Sequence, residues 1–250
     1  MTTYLWATLA LLAALPRCNK PDAVSAAPPS APQFPDQVLL AGRKPAAQLA
    51  FPAVFEAAFR PGTTVRQDST TIRCQVAELG RLRSETGKLI ASDPITAAGA
   101  LALKQRFPVG EFPVQLALLR FAHDERVGFA RVVFDTARVA RWQLALLPGQ
   151  QPLALRDSTF YCYGVDGGMG TILDSAANQE FTRLGQATWE QVFVKAAERP
   201  NYTGYIYRFG THSLATFTIG LGDGCYPTYI GFTTQGNVCR LLTDFRMISW

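Results

Sequence analysis

Histidine is scarce: the chain has two in 250 residues, His123 and His212, far apart in sequence. That scarcity argues against a histidine-built zinc centre and against a Ser-His-Asp engine. Gly-x-Ser-x-Gly, Walker A, His-Glu-x-x-His and Cys-x-x-Cys are all missing, so four common routes to catalysis have no signature here. The formal charge is +5, yet the basic residues are scattered. Their densest cluster, Arg81 and Arg83 with Lys88, is too thin for a nucleic-acid footprint and reads as a solvated face. No nucleic-acid partner is expected. There is no internal repeat, and the N-terminal apolar run, the twelve residues Tyr4–Leu15, is too short to span a bilayer.

What is present supports export. At 48% hydrophobic and 17% charged, the chain can bury a full core. Tyr4–Leu15 has the length of a signal-peptide h-region, although the preceding Met-Thr-Thr carries no Lys or Arg. Leu15-Pro-Arg-Cys18 is like a bacterial lipobox, with Arg17 in place of the usual small residue, and makes Cys18 the expected lipidation site. Asn19–Asp36 carries five prolines among Ala and Ser, a composition that behaves as an extended tether. The expected organisation is a signal or lipobox segment over 1–18, a Pro/Ala-rich tether over 19–50 and one globular domain over 51–250. The expected address is the cell envelope, with membrane contact only through the N-terminal anchor.

Hairpins dominate the rest. Pro52–Arg60 reads as a short helix stopped by Pro61-Gly62, with Phe55 and Phe59 on one face. Ile72, Cys74 and Val76 alternate with polar residues as a half-buried strand does. Phe112–Phe121 and Arg126–Phe134 form a hairpin with His123 at its solvated tip. Trp142–Leu147 is helix or strand, and Phe160–Asp166 is a strand running into Gly167-Gly-Met-Gly170. Asp174 signals a helix start, and a second helix is expected over Thr188–Arg199. Strands follow at Ile206–Phe209 and Leu214–Ile219. Cys225–Phe232 and Asn237–Phe245 then pair around Thr233-Thr-Gln-Gly236. The pattern predicts an α+β fold, mainly antiparallel β in a sandwich or two packed sheets, with a few short helices.

With Cys18 lipidated, Cys74, Cys162, Cys225 and Cys239 remain, and three pairings are open. A hairpin turn between Thr234 and Gln235 places Cys239 opposite Ile230, which makes Cys225–Cys239 a poor pair. Buried free thiols are the favoured reading.

Gly222-Asp-Gly-Cys-Tyr-Pro-Thr-Tyr-Ile-Gly231, with Gly236 and Asp244-Phe245, resembles the signature of a bacterial family, domain of unknown function 4241. Gly87–Pro94, Pro108–Val114, Arg126–Arg131, Trp142 and Val165–Gly168 fit the same order, so the resemblance spans roughly 51–245. It implies one globular unit with the Gly-Asp-Gly turn as hallmark, and it implies that Cys225 is core filler.

The candidates for chemistry are carboxylates in turns. Asp166 and Asp223 each enter glycines, where backbone N–H groups and a carboxylate could meet a ligand or a hard cation such as calcium. Asp244, inside a β-run, is expected to bond a neighbouring turn, and Asp93 and Asp174 read as turn starter and helix cap. Gly222, Gly224 and Gly236 are structural turn residues, at least one of the first two with positive φ. The aromatic-rich second half, from Tyr161 to Tyr229, reads mainly as cross-strand packing rather than a binding platform. No nucleophile–base pair stands out, and no cofactor beyond calcium is suggested. The function expected is an envelope-tethered binding or accessory module without catalytic machinery. A carboxylate- or metal-dependent hydrolase using Asp166 and Asp223, or an immunity-type partner-binding protein, are the alternatives.

Overall fold

A computed structural model describes residues 51–67, 69–155, 159–198 and 203–248, with the side chains of 51–53 left aside. Cys18, the leader and the tether lie outside these residues, as does Tyr202. The described part is mainly antiparallel β. Its strands are β1 (Thr64–Gln67), β2 (Thr70–Ser84), β3 (Leu89–Ser92), β4 (Gly110–Arg120), β5 (Glu125–Val133), β6 (Arg141–Leu144) and β7 (Tyr163–Val165). Then come β8 (Met169–Asp174), β9 (Gly204–Phe209), β10 (His212–Thr218), β11 (Gly224–Tyr226), β12 (Thr228–Phe232) and β13 (Val238–Asp244).

A seven-stranded sheet has the order β1-β2-β4-β5-β13-β12-β6, a four-stranded sheet the order β3-β8-β10-β9, and β7 pairs with β11 alone. Residue alternation along β4 divides the core. Leu116 and Leu118 face inward against Ile172, Ala215 and Phe217 of the smaller sheet. Ala117 and Leu119 face outward, beneath α1 (Phe51–Ala57). Phe55 of α1 is fully buried against Phe129, Trp142 and Tyr229. On the far face of the smaller sheet, Leu173 and Leu214 meet Phe181 and Phe193 of the second helical stretch. The layers therefore run helix, sheet, sheet, helix.

The helical stretch after β8 is one interrupted rod. Helix α2 (Ser175–Trp189) breaks at Gly185, whose φ of 77° and ψ of −176° leave the helical region. It then passes through a π turn, Glu190–Val194, into a last turn, Lys195–Ala197. The break falls between the two helices expected from sequence.

Other expectations need correction. The strand read at Ile72–Val76 is fifteen residues long, kinked by a bulge at Gly80. Met169 and Gly170, read as the end of the glycine-rich Gly167–Gly170, instead open a strand, Met169–Asp174, that is buried along its whole length. The run Cys225–Phe232 is broken at Pro227, so Cys225 and Tyr226 pair with β7 and only Thr228–Phe232 pairs with β13. In that hairpin Ile230 faces Leu241, two residues from the expected Cys239, because a bulge at Gly231/Phe232 and a turn from Thr233 to Asn237 absorb the difference. Free thiols hold for Cys74 and Cys239 only; Cys162 and Cys225 are joined by a disulfide. Cys225 is buried, but as half of a cross-link rather than as core filler.

Candidate functional site

The buried carboxylates serve the backbone. Asp93, 1% exposed, accepts from Ile95 N at 2.7 Å through Oδ1 and from Asp166 N and Gly167 N at 2.8 and 3.0 Å through Oδ2. The residue read as a turn starter is thus also a clamp on the Asp166–Gly167 loop. Asp174 caps α2 through Ala176 N and also receives the backbone N–H groups of Glu85 and Thr86 and the Thr86 hydroxyl. Asp244, also buried, accepts from Arg246 N at 2.8 Å, closing a turn in which Arg246 takes φ of 56°. A carboxylate accepting from its own following turn lets a non-glycine residue hold that conformation.

Asp166 and Asp223 are different: both are exposed. The β7–β11 ladder ends at the pair Val165 and Gly224, and Asp166 and Asp223 are the next residues on the two loops that leave it. The two loops touch at their glycines. Gly168 O accepts from Ile219 N at 3.3 Å, and a Cβ built on Gly168 would lie 3.9 Å from the Gly222 backbone. Gly222 has φ of 103°, the left-handed conformation expected of this turn. Gly224 is glycine for another reason: a Cβ there would sit 2.9 Å from the Tyr226 hydroxyl, which donates to Gly222 O at 2.6 Å. Gly236, φ 85°, closes the last hairpin with Gly236 N donating to Thr233 O.

A polar cleft of about 640 Å³ opens beside these loops, bounded by Arg120, Arg126, Gly168, Thr218, Leu221 and Gly222. Its cations are engaged by their own hairpin: Arg120 pairs with Glu125 at 2.5 Å and Arg126 with Asp124 at 2.7 Å. Arg126 accordingly holds the Asp124 carboxyl below the ordinary range. Among the described residues, no group of three or more His, Cys, Asp or Glu gathers to hold a metal ion. His123 is exposed at the tip of the β4–β5 hairpin, and His212 Nδ1 lies 2.5 Å from Glu85 Oε1. The thiols of Cys74 and Cys239 are buried, and burial raises both pKa values, away from nucleophilic use. The tyrosines of β9 pack: Tyr205 donates to Val192 O at 2.9 Å, and Tyr207 meets Phe181 and Phe209.

A second concavity was invisible to motif reading. The 3₁₀ turn Pro94–Gly99 faces α2 and the π turn, and two hollows of about 370 and 410 Å³ lie along their junction. They share Pro94, Ile95 and Trp189 as walls. Ile95 and Val194, both exposed, are part of its lining.

Fold and loops together define a mainly antiparallel α+β module with two adjoining Asp-Gly loops and structurally committed buried carboxylates. A family model described as "Protein of unknown function (DUF4241)" matches residues 82–243, and the chain belongs to that family. The match starts near the end of β2, so α1 and β1 stand outside it. No curated protein and no solved structure matches the chain.

Proposed function

We propose that this protein is an exported accessory module, tethered to the envelope through Cys18, that binds a ligand without transforming it. The observation carrying this reading is the Cys162–Cys225 disulfide, which joins the residue just before β7 to β11. Structural disulfides persist in oxidising compartments and are rare in the cytosol, so the cross-link supports the export suggested by the leader and lipobox-like segment. The concavities beside the loop pair and along α2 give a binding module places to hold a ligand. Labelling cells with a palmitate analogue should mark the wild type and leave Cys18→Ala unmarked. An unlabelled wild type whose N-terminus begins at Met1 sinks the tether.

Exposed Asp166 and Asp223, on loops that approach each other at Gly168 and Gly222, support one further reading, a calcium-dependent site at the loop pair. Two carboxylates on adjoining loops repel each other, and a hard cation held between them reverses the sign. In that case calcium raises the melting temperature of the wild type by mass action, and Asp223→Asn removes the rise while sparing the apo fold. An unchanged melting temperature in millimolar calcium rejects it.

A further inference from the structure

We propose that the cavity between the 3₁₀ turn Pro94–Gly99 and the α2–π stretch binds a small, largely apolar molecule carrying one N–H or O–H donor. The proposal deepens the binding-module reading and rests on it for its biological meaning. Size comes first. Hollows of about 370 and 410 Å³ sharing three walls fall within the range of small-ligand sites, which run from about 300 to 1,000 Å³. Phe181, Trp189, Phe193 and Val194 supply most of the apolar wall. At the rim, Ile95 and Val194 are 56% and 44% exposed, leaving apolar surface in water beside the opening.

The chemistry comes from Asn178, which lines the cavity and is only 6% exposed. Its Nδ2 donates to Ala97 O at 2.7 Å, and a carbonyl can only accept, so this bond fixes which end of the amide is which. Its Oδ1 is buried and has no hydrogen-bond partner. Native structures rarely leave such an acceptor unsatisfied. The surrounding donors are already engaged. Trp189 Nε1 donates to Pro94 O at 3.2 Å, and the Thr182 hydroxyl to Asn178 O at 2.8 Å. Asp93, on the same wall, has both oxygens occupied by backbone N–H groups. A largely apolar wall with one buried, unpartnered acceptor, whose named neighbours bond elsewhere, favours a ligand that brings its own donor. The break at Gly185 falls on this hollow, since Gly185 is part of its lining.

The test uses N-phenyl-1-naphthylamine, an apolar amine whose fluorescence rises out of water, and 1-phenoxynaphthalene, of nearly the same shape with ether oxygen in place of N–H. The purified protein should give a saturable rise with the amine, and the ether should compete at least about fivefold more weakly, the worth of one hydrogen bond. Ile95→Asp, at an exposed rim position, should weaken the amine at least about tenfold with an unchanged melting temperature. Asn178→Leu, where folded, should bind both probes equally. No saturable signal, equal competition by the ether in the wild type, or full affinity in Ile95→Asp overturns the proposal. These outcomes are separate from Cys18 labelling, so loss of the tether and loss of the cavity are told apart.

Discussion

Glu56 holds two buried cations, and removing it should cost more than any other single surface-accessible carboxylate change. On the outer face of the large sheet, Arg131 Nη1 lies 3.0 Å from Glu56 Oε1, and Arg240 Nε lies 3.3 Å from the same oxygen. The arginine side chains are 11% and 6% exposed, against 27% for Glu56. Burial draws the Arg131 pKa down to about 10, and the Glu56 charge is the strongest influence opposing it. Arg131 is therefore still charged at pH 7. Each guanidinium keeps neutral partners without Glu56: Gln115 and the Phe59 ring for Arg131, the carbonyls of Cys239, Asp135 and Ala137 for Arg240. None of these neutralises charge. Glu56→Ala leaves two cations in low dielectric with only the weaker Glu78 charge acting on Arg131, and breaking a buried pair from one side costs about 3–5 kcal/mol. The partial exposure of Glu56 admits screening, which places the expectation near the lower end. Glu56→Gln keeps shape and an acceptor and should lose about half as much. Urea unfolding at constant m-value reads the difference directly, and the melting temperature should fall by roughly 6–12 °C for a chain of this size. A loss below about 1 kcal/mol in Glu56→Ala would falsify the view that this carboxylate pins α1 to the sheet.

Three further outcomes follow from the same geometry. Gly224→Val must push aside the Tyr226 ring and break its hydrogen bond to Gly222 O, so it should destabilise by about 1–3 kcal/mol in thermal melts; near-neutral behaviour removes the steric account. Burial raises the phenol pKa of Tyr163, Tyr226 and Tyr229, so the folded state holds their protons where the unfolded chain loses them. Stability should then be intact below pH 10 and fall by up to about 1.4 kcal/mol per pH unit per tyrosine above it, with Arg131 acting singly in the opposite sense. Absorbance at 295 nm should show these phenols ionising only with unfolding. Finally, alkylation with peptide mapping should find Cys74 and Cys239 unmodified in the native protein and modified in denaturant without reductant, while Cys162 and Cys225 react only after reduction.

Local chemistry was legible where a turn or a cap marks it. The β4–β5 hairpin shows itself by its polar turn around His123, and α2 by the Asp174 cap. Strand β8 does not, because Met169–Asp174 is buried on both faces and so lacks alternation. The disulfide was hidden for a different reason. It depends on β7 meeting β11, a pairing between short runs more than fifty residues apart that no turn signal encodes. The Asn178 cavity was equally silent, since an amide on a helix acquires meaning only when its neighbours are known to be engaged. Turn carboxylates were easy to find and harder to assign: Asp93 joins its own turn to a distant loop, a bond that depends on tertiary placement.

The disulfide also divides the molecule by path. All seven strands of the larger sheet come from before Cys162 or after Cys225, whereas β8, β9, β10 and α2 lie between them. The chain leaves at β7, makes an excursion with a separation of 63 residues, and returns to the same spot at β11. In a chain-entropy account, closing a loop of that length removes about 4 kcal/mol of unfolded-state freedom. Opening this excursion leaves every ladder of the larger sheet unbroken, so it has the makings of a separate cooperative unit, held by β3 and the shared core. The excursion supplies one wall of the Asn178 cavity, and the 3₁₀ turn from the earlier part of the chain supplies the other. A ligand bridging those walls would couple occupancy to the integrity of the whole excursion, and reduction of the staple would loosen both together.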